Sequence, residues 1–355
     1  MLMTRQHRTA ERVPETDRAR RILAAVIHEY IRSAEPVGSR KLTKRHGFDL
    51  SAATIRNVMA DLEEMGYLSQ PHTSAGRVPT CKAFRYYVDS ILDVRQLTRH
   101  ERHRIRRNYQ LSGLNMTQTL KETCRILSAA SNYLGLVMTP RVEDMRFKHI
   151  QFVRLGPFQV LAIFVSTAGV IQNKPLDVDE DLDQDYLDKM TRYLSTILSG
   201  LTLVEVRNRI FEEMQKEKTA YDKLMAGALK LGERALADTE DRELFVEGTA
   251  RILDAPEFSD TQKMKKILEA LEEKGFLLKL LDQSIGTSGG HIVIGTEFDQ
   301  REMKDCTLVT ASYGLLDFPQ GTIGVIGPVR MNYSRIIPLV NFTAELLTEN
   351  FAETA

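Results

Sequence analysis

At 355 residues, 43% hydrophobic and 27% charged, the chain is long enough for two or three domains and is composed like an ordinary globular protein. No apolar run approaches the ~18 residues of a membrane span, and the three cysteines, Cys81, Cys124 and Cys306, lie far apart with no CxxC. That usage argues against a disulfide framework or zinc site and is consistent with a reducing cytoplasm. The formal net charge of zero hides a split: residues 1–107 carry 21 Lys+Arg against 12 Asp+Glu, a balance of +9, and residues 108–355 carry 27 against 36, a balance of −9. A basic N-terminal third is what a phosphate backbone attracts.

The first 16 residues are polar and basic and lack an apolar h-region, so no secretory signal is expected. Thr16 can cap a helix over residues 17–33, in which Leu23, Val26, Ile27 and Tyr30 fall at i, i+3, i+4 and i+7. Pro36 and Gly38 interrupt it; Ser39 then caps a short basic helix over residues 40–46, ended by Gly47. Ser51 caps a third helix, with Ile55, Val58, Met59 and Leu62 on one face and Ala53, Asn57, Ala60 and Glu64 opposite, Arg56 on the flank. Gly66 ends it, and residues 67–70 and 77–79 read as two strands around the loop PHTSAG.

This order is that of a winged helix-turn-helix, whose recognition helix brings its first turns to base edges. Ala52 and Ala53 let the backbone approach a groove. Asn57 suits an adenine edge and Arg56 a guanine edge or a phosphate, each good base pairing being worth ~1–3 kcal/mol of discrimination. His72, Ser74, Gly76 and Arg77 suit a loop on phosphate or in the minor groove, against the plainer alternative of an ordinary polar hairpin. The candidate DNA-binding set is Ser39, Arg40, Ser51, Ala53, Thr54, Arg56, Asn57, His72, Ser74, Gly76 and Arg77.

Residues 84–109 read as one long basic helix joining head to body, with Arg102, Arg104, Arg106 and Arg107 solvated or near DNA. A helix over residues 114–135 turns Leu120, Cys124 and Leu127 inward. Segments 147–155, 158–166 and 170–174, separated by Gly156-Pro157 and Ala168-Gly169, read as an antiparallel meander. Helices follow over 183–200, 203–238 and 260–281, with a short strand at 244–246. The long helix, with breaks conceivable near Gly227 or Gly232, carries Val206, Ile210, Met214, Tyr221, Met225 and Leu229 at near-heptad spacing, which fits either an intramolecular core or a dimer seam. Strand signals return at 291–296, 307–312 and 322–327, reached through the Gly-rich stretch 286–290, and a helix over 334–351 follows. Strand, helical interruption, strand predicts an α+β multidomain protein with one domain inserted into another. The expected boundaries are a winged-helix DNA-binding domain at 1–83, a linker helix at 84–112, an α+β domain in two parts at 113–176 and 288–355, and a mostly helical insertion at 177–287.

The stretch GSRKLTKRHGFDLSAATIRNVMADLEEMGYLSQPHTSAGRVPT at 38–80, with FVEGTARILDAPEFSD at 245–260, ASYGLLDFPQGTIGVIGP at 311–328 and MNYSRIIPLVNFTAELL at 331–347, resembles the HrcA family of bacterial heat-inducible transcription repressors. The resemblance spans nearly the whole chain in the right order; Cys81 departs from it, at a position where a polar or acidic residue is expected. It implies a GAF-like α+β domain interrupted by a dimerising insertion. It also implies a homodimer on double-stranded DNA at the CIRCE inverted repeat of groE and dnaK operons, and an activity that depends on the GroEL chaperonin. A two-fold operator requires such a dimer. The sequence holds no P-loop and no GxGxxG opening a helix, GTSGG at 286–290 reads as a flexible return from the insertion, and GTIGVIGP reads as strand packing, so no catalysis, cofactor or metal is expected. The rival readings are a metabolite-gated transcriptional regulator with the GAF-like cup as its sensor and an RNA-binding protein with a borrowed helix-turn-helix.

Overall fold

The computed structural model describes residues 16–354 apart from 73–74, 109–115, 141–145, 168–170, 203–204, 207, 211, 213–222, 237–241, 254, 284–289 and 315–320. The basic leader, Ser74, the Ala168-Gly169 turn, Met214, Tyr221 and most of the Gly-rich stretch 286–290 therefore lie outside the described residues.

The head opens with α1 (Asp17–Ser33), which Thr16 caps by accepting the Ala19 amide at 3.2 Å. Next come α2 (Ser39–His46) and α3 (Ala52–Glu64). Ser39 is the first helical residue rather than the cap: Gly38 holds the extended cap position and offers no side-chain bond. Strands β1 (Leu68–Ser69) and β2 (Val78–Pro79) pair antiparallel, and Val37 bridges Arg77 to add a single rung.

The expected single helix over 84–109 is two. Helix α4 (Cys81–Tyr86) runs into a π turn over Tyr87–Ile91, and Leu92 leaves helical geometry at ψ 117°. Helix α5 (Arg99–Asn108) starts afresh from a capping box, Glu101 N to Thr98 Oγ1 at 3.2 Å and Thr98 N to Glu101 Oε2 at 2.9 Å. Leu97, between them, is buried. A sequence rich in helix formers is thus broken by a cap and a buried anchor.

In chain order the remaining elements are α6 (Met116–Ser131), β3 (Leu134–Met138), β4 (Phe147–Gly156), β5 (Gln159–Ser166), β6 (Ile171–Asp177), α7 (Gln184–Leu198) and α8 (Lys223–Leu236). They are followed by β7 (Leu244–Glu247), α9 (Thr249–Leu253), α10 (Thr261–Glu272), α11 (Lys274–Asp282), β8 (His291–Ile294), β9 (Cys306–Tyr313), β10 (Gly321–Pro328) and α12 (Tyr333–Thr354). The expected helix over 114–135 overran into β3, a wholly buried LGLVM run whose periodicity cannot separate helix from strand. The expected helix over 260–281 breaks at Glu273 (ψ 92°), whereas α8 passes Gly227 and Gly232 unbroken.

Strands β7-β3-β10-β9-β8 form one antiparallel sheet. Side chains alternate between its faces. Val137, Val309, Ala311 and Ile323 pack with α6 and α12, while Leu136, Met138, Leu308 and Ile326 pack with α9, α10 and α11.

Strands β4-β5-β6 form a separate sheet. Phe147, Ile150, Phe152 and Phe164 share a core with Leu187, Met190 and Leu194 of α7 and with Ala228 and Leu229 of α8. The meander therefore belongs with the interrupting helices, not with the later strands, and an insertion boundary at 176/177 would divide one core. Residues 244–282 return to the five-stranded sheet. Val206, Ile210 and Leu229 of the near-heptad stripe are buried in the lobe's intramolecular core.

Candidate nucleic-acid interface

Leu42, Ile55, Met59 and Leu62 are buried with Ile22, Leu23, Val26 and Ile27 of α1. That packing fixes the rotation of α3 and turns Ser51, Ala53, Arg56 and Asn57 to solvent. The turn before it is possible because Gly47 takes the left-handed conformation, φ 57°. Ser51 caps α3, its Oγ accepting the Thr54 amide at 3.1 Å; Thr54 Oγ1 lies 3.0 Å from the same oxygen, so Thr54 is half-buried in the cap. On α2, Arg40 is exposed and Ser39 half-buried.

The hairpin behaves differently. His72 is exposed, and its carbonyl accepts the Ala75 amide at 2.9 Å. A Cβ on Gly76 would stand 2.5 Å from the Val37 carbonyl carbon, so only glycine lets this strand approach the α1–α2 connection. Arg77 and Val37 exchange backbone hydrogen bonds at 2.8 and 2.9 Å. The Arg77 side chain, 19% exposed, lies with Nε 2.7 Å from Glu63 Oε2 of α3. Gly76 and Arg77 are thus brought to the inner side of the hairpin, while Arg56 and Asn57 stay on the outer face of α3.

Sequence reasoning missed an ionic cluster beside α2. The Glu29 carboxylate, 6% exposed, stands 3.1 Å from Arg32 Nη2, 3.6 Å from Lys41 Nζ, 3.0 Å from Arg45 Nη1 and 3.4 Å from His46 Nε2. Burial alone would raise its pKa, but the hydrogen bond and charge of Arg32, with Lys41 and His46, outweigh burial and hold it below the usual carboxylate range. The signal was present in the sequence: Glu29 falls on the apolar face of α1, seven residues after Ile22 and three after Val26.

The head is tied to the five-stranded body. The Phe84 ring lies 6.4 Å from Tyr30 and 6.0 Å from Tyr333. Arg85 donates from Nε to Glu297 Oε1 at 2.7 Å and from Nη2 to the Ile292 carbonyl at 2.5 Å. Arg330 pairs with Glu257 and donates to the Ile31 carbonyl, in the last turn of α1, at 3.2 Å. Cys81, the departure from the family pattern, lies at this seam with Sγ 3.8 Å from the Lys304 carbonyl, and burial pushes its thiol pKa up. Arg106 and Arg102, on α5, meet Glu349 at 3.0 Å and the Phe342 ring at 5.5 Å, so this basic stretch faces α12.

An open cleft of ≈ 290 Å³ lies between α11 and the 297–300 segment, lined by Glu273, Phe276, Lys279, Glu297 and Phe298 among others. Among the described residues no group of three or more His, Cys, Asp or Glu could hold a metal, and no helix is long and apolar enough to cross a membrane.

Residues 117–337 match the family described as HrcA protein C terminal domain. The chain is 47% identical to the heat-inducible transcription repressor HrcA of Geobacter sulfurreducens, over 94% of this chain and 97% of that protein. It is 42% identical to the protein of the same name from Syntrophobacter fumaroxidans, over 95% and 97%. A crystal structure of a hypothetical protein superposes with a TM-score of 0.62 at 22% identity, covering 96% of this chain and 99% of that one, a likeness of fold.

Proposed function

The chain belongs to the HrcA family of heat-inducible transcription repressors, and from that membership we propose that its head represses transcription by binding operator DNA as a winged helix-turn-helix. Helix α3 enters the major groove with Arg56 and Asn57 at base edges, Ser51, Ala53 and Thr54 form its close-approaching start, and Ser39 and Arg40 meet the backbone. The β1–β2 hairpin is the wing, with His72 exposed on it, and Ser74 is carried over from the sequence as a further contact. Gly76 and Arg77 hold the wing in place, and Arg77 reaches phosphate only by leaving Glu63. The observation that carries this reading is the Ser51-capped start of α3, exposed at Ala53, Arg56 and Asn57.

In this reading the domains are a head at 16–91, a GAF-like body built from the five-stranded sheet and its helices, and a lobe at 146–236 inserted into the body and serving dimerisation. The operator is the CIRCE inverted repeat, bound by a homodimer in the cytoplasm without catalysis. The GroEL chaperonin sets the fraction of protein in the binding-competent fold, so clients that occupy it on heating leave less active repressor. The test is binding to an inverted-repeat duplex and to a scrambled duplex, before and after heating, with and without chaperonin. Equal affinity for the two duplexes overturns the operator reading, and full affinity after heating without chaperonin overturns the heat-control reading.

A metabolite-gated reading has one observation in its favour: Glu297, which holds Arg85 of the head, also lines the cleft beside α11. A cationic metabolite there would compete with Arg85. A change in operator affinity on adding such a ligand would support it.

A further inference from the structure

We propose that Glu29 is a positioning residue for DNA binding: a buried anion that gathers the cations of α2 and presents Lys41 and Arg45 to the phosphate backbone. The proposal rests on the reading of the head as the DNA-binding unit and adds a group that no base or phosphate touches directly.

The argument begins with the charge count at one point. A single carboxylate, 6% exposed, is met within 3.6 Å by three cationic side chains, Arg32, Lys41 and Arg45, and by the ring of His46. One negative charge cannot neutralise three positive ones, so the cluster carries a surplus of at least +2. A fold needing only a structural ion pair would bury one cation against Glu29. Here the two arginines remain open to solvent, 59% for Arg32 and 48% for Arg45. Arg45 uses Nη1 on Glu29, and a guanidinium carries five N–H donors. The same arginine can therefore be oriented by Glu29 from behind while facing an anion in front.

Placement gives that anion its identity. Lys41 and Arg45 are one turn apart on α2, with exposed Arg40 and Lys44 on the adjoining stripe, so four cations share one side of an eight-residue helix. Leu42, on the other side, is buried against α3. In a helix-turn-helix dock the helix before the recognition helix crosses the sugar–phosphate backbone. Arg45 also precedes Ser51, the exposed cap of α3, by only six residues. Unheld, four like charges on two turns would repel one another. Glu29 removes that cost for two of them and restricts their rotamers before DNA arrives, so less side-chain entropy is lost on binding.

The test separates positioning from bulk charge because the two predict opposite signs. Glu29→Gln raises the net charge of the head by one. If Glu29 acted only as a nearby negative charge, its loss would tighten binding to any duplex. If it positions Lys41 and Arg45, its loss weakens binding to inverted-repeat and scrambled duplexes alike. The slope of log K against log salt then becomes shallower by about two per head, since each lost phosphate contact removes roughly 0.9. Glu29→Asp, which keeps the charge, restores part of the slope. Arg45→Ala flattens the slope by about one per head in the otherwise native chain and by much less when Gln already stands at 29. Thermal melting checks that each variant is folded. If Glu29→Gln does not fold, Arg45→Ala carries the test: a flatter slope with unchanged sequence preference supports the assignment, and an unchanged slope overturns it. Tighter binding by folded Glu29→Gln also overturns it. A native chain that binds neither duplex defeats the reading of the head itself, an outcome distinct from either of these.

Discussion

The head shares its hydrophobic core with the five-stranded body, whereas β4–β6 with α7 and α8 enclose a core of their own. Phe84 of α4 is packed between Tyr30 of α1 and Tyr333 at the start of α12, and two arginines, Arg85 and Arg330, cross the same seam. Among the described residues, the lobe's largest buried side chains, Phe147 and Phe152, belong to the lobe's own core. The difference teaches which parts must fold together. A perturbation of the body is felt by α1 and through it by α3, which presents Arg56 and Asn57; among the described residues, the buried core of the lobe is separate from the core that holds them.

The largest effect that can break this comparison is removal of a shared ring. Phe84→Ala is expected to cost about 3–5 kcal/mol, as loss of a fully buried aromatic does, and to lower head and body stability in a single urea transition together with duplex binding. Phe152→Ala should cost a similar amount yet leave duplex binding by a single head intact, measured by anisotropy with a half-site; loss of half-site binding would show the lobe to be coupled after all. Next is the Arg330–Glu257 pair, whose side chains are 18% and 19% exposed. Glu257→Ala leaves the guanidinium beside the end of α1 without its carboxylate and should cost about 2–3 kcal/mol, less than the ~3–5 kcal/mol of a fully buried pair because some solvent remains. Amide exchange of α1 should accelerate in that variant while exchange in α7 stays unchanged.

Within the head the expected effects are smaller. Gly76→Ala drives a methyl group into the Val37 backbone and should cost about 1–3 kcal/mol, as overpacking does, with the wing moving away from α1. Asn57→Ala should change stability by no more than about 0.5 kcal/mol and reduce discrimination between operator and scrambled duplex by ~1–3 kcal/mol if Asn57 meets a base edge. The least effect at neutral pH concerns the ionisation of Glu29. Its folded pKa lies below the ordinary 4.5, so its contribution to stability is complete above that value and is lost as pH falls through the depressed folded value. Acid titration of the native chain should therefore show a loss of head stability on that side that Glu29→Gln lacks.

Much of the head was legible before any coordinates. The limits of α1 were read to the residue, because Thr16 is a good cap and Leu23, Val26 and Ile27 keep helical spacing to the end. The start of α3 was equally plain from Ser51 and the Ile55–Leu62 stripe. The three strands of the meander and the three late strands were visible as β-branched runs between turns. What failed did so for identifiable reasons. The LGLVM run of β3 is buried on both faces and carries no period. The break between α4 and α5 rests on Leu97 finding a buried place, which is not a local property. The place of the Arg77 side chain beside Glu63 depends on how the hairpin folds back over α3, which no local pattern records.

Sequence by itself determined the local grammar of this protein: caps, stripes, turns, the basic head on an acidic remainder, and the family that those segments resemble. These depend on neighbours within a few residues or on composition, which the chain carries wherever it folds. Only the tertiary structure decided which strands share a sheet, which core each helix joins, and which charges meet. Glu29 and Arg45 are sixteen residues apart, Arg330 and Ile31 two hundred and ninety-nine, and both pairs form because hydrophobic burial elsewhere brings their segments together. Burial is non-directional and long in range along the chain, so it selects partners that no local pattern records.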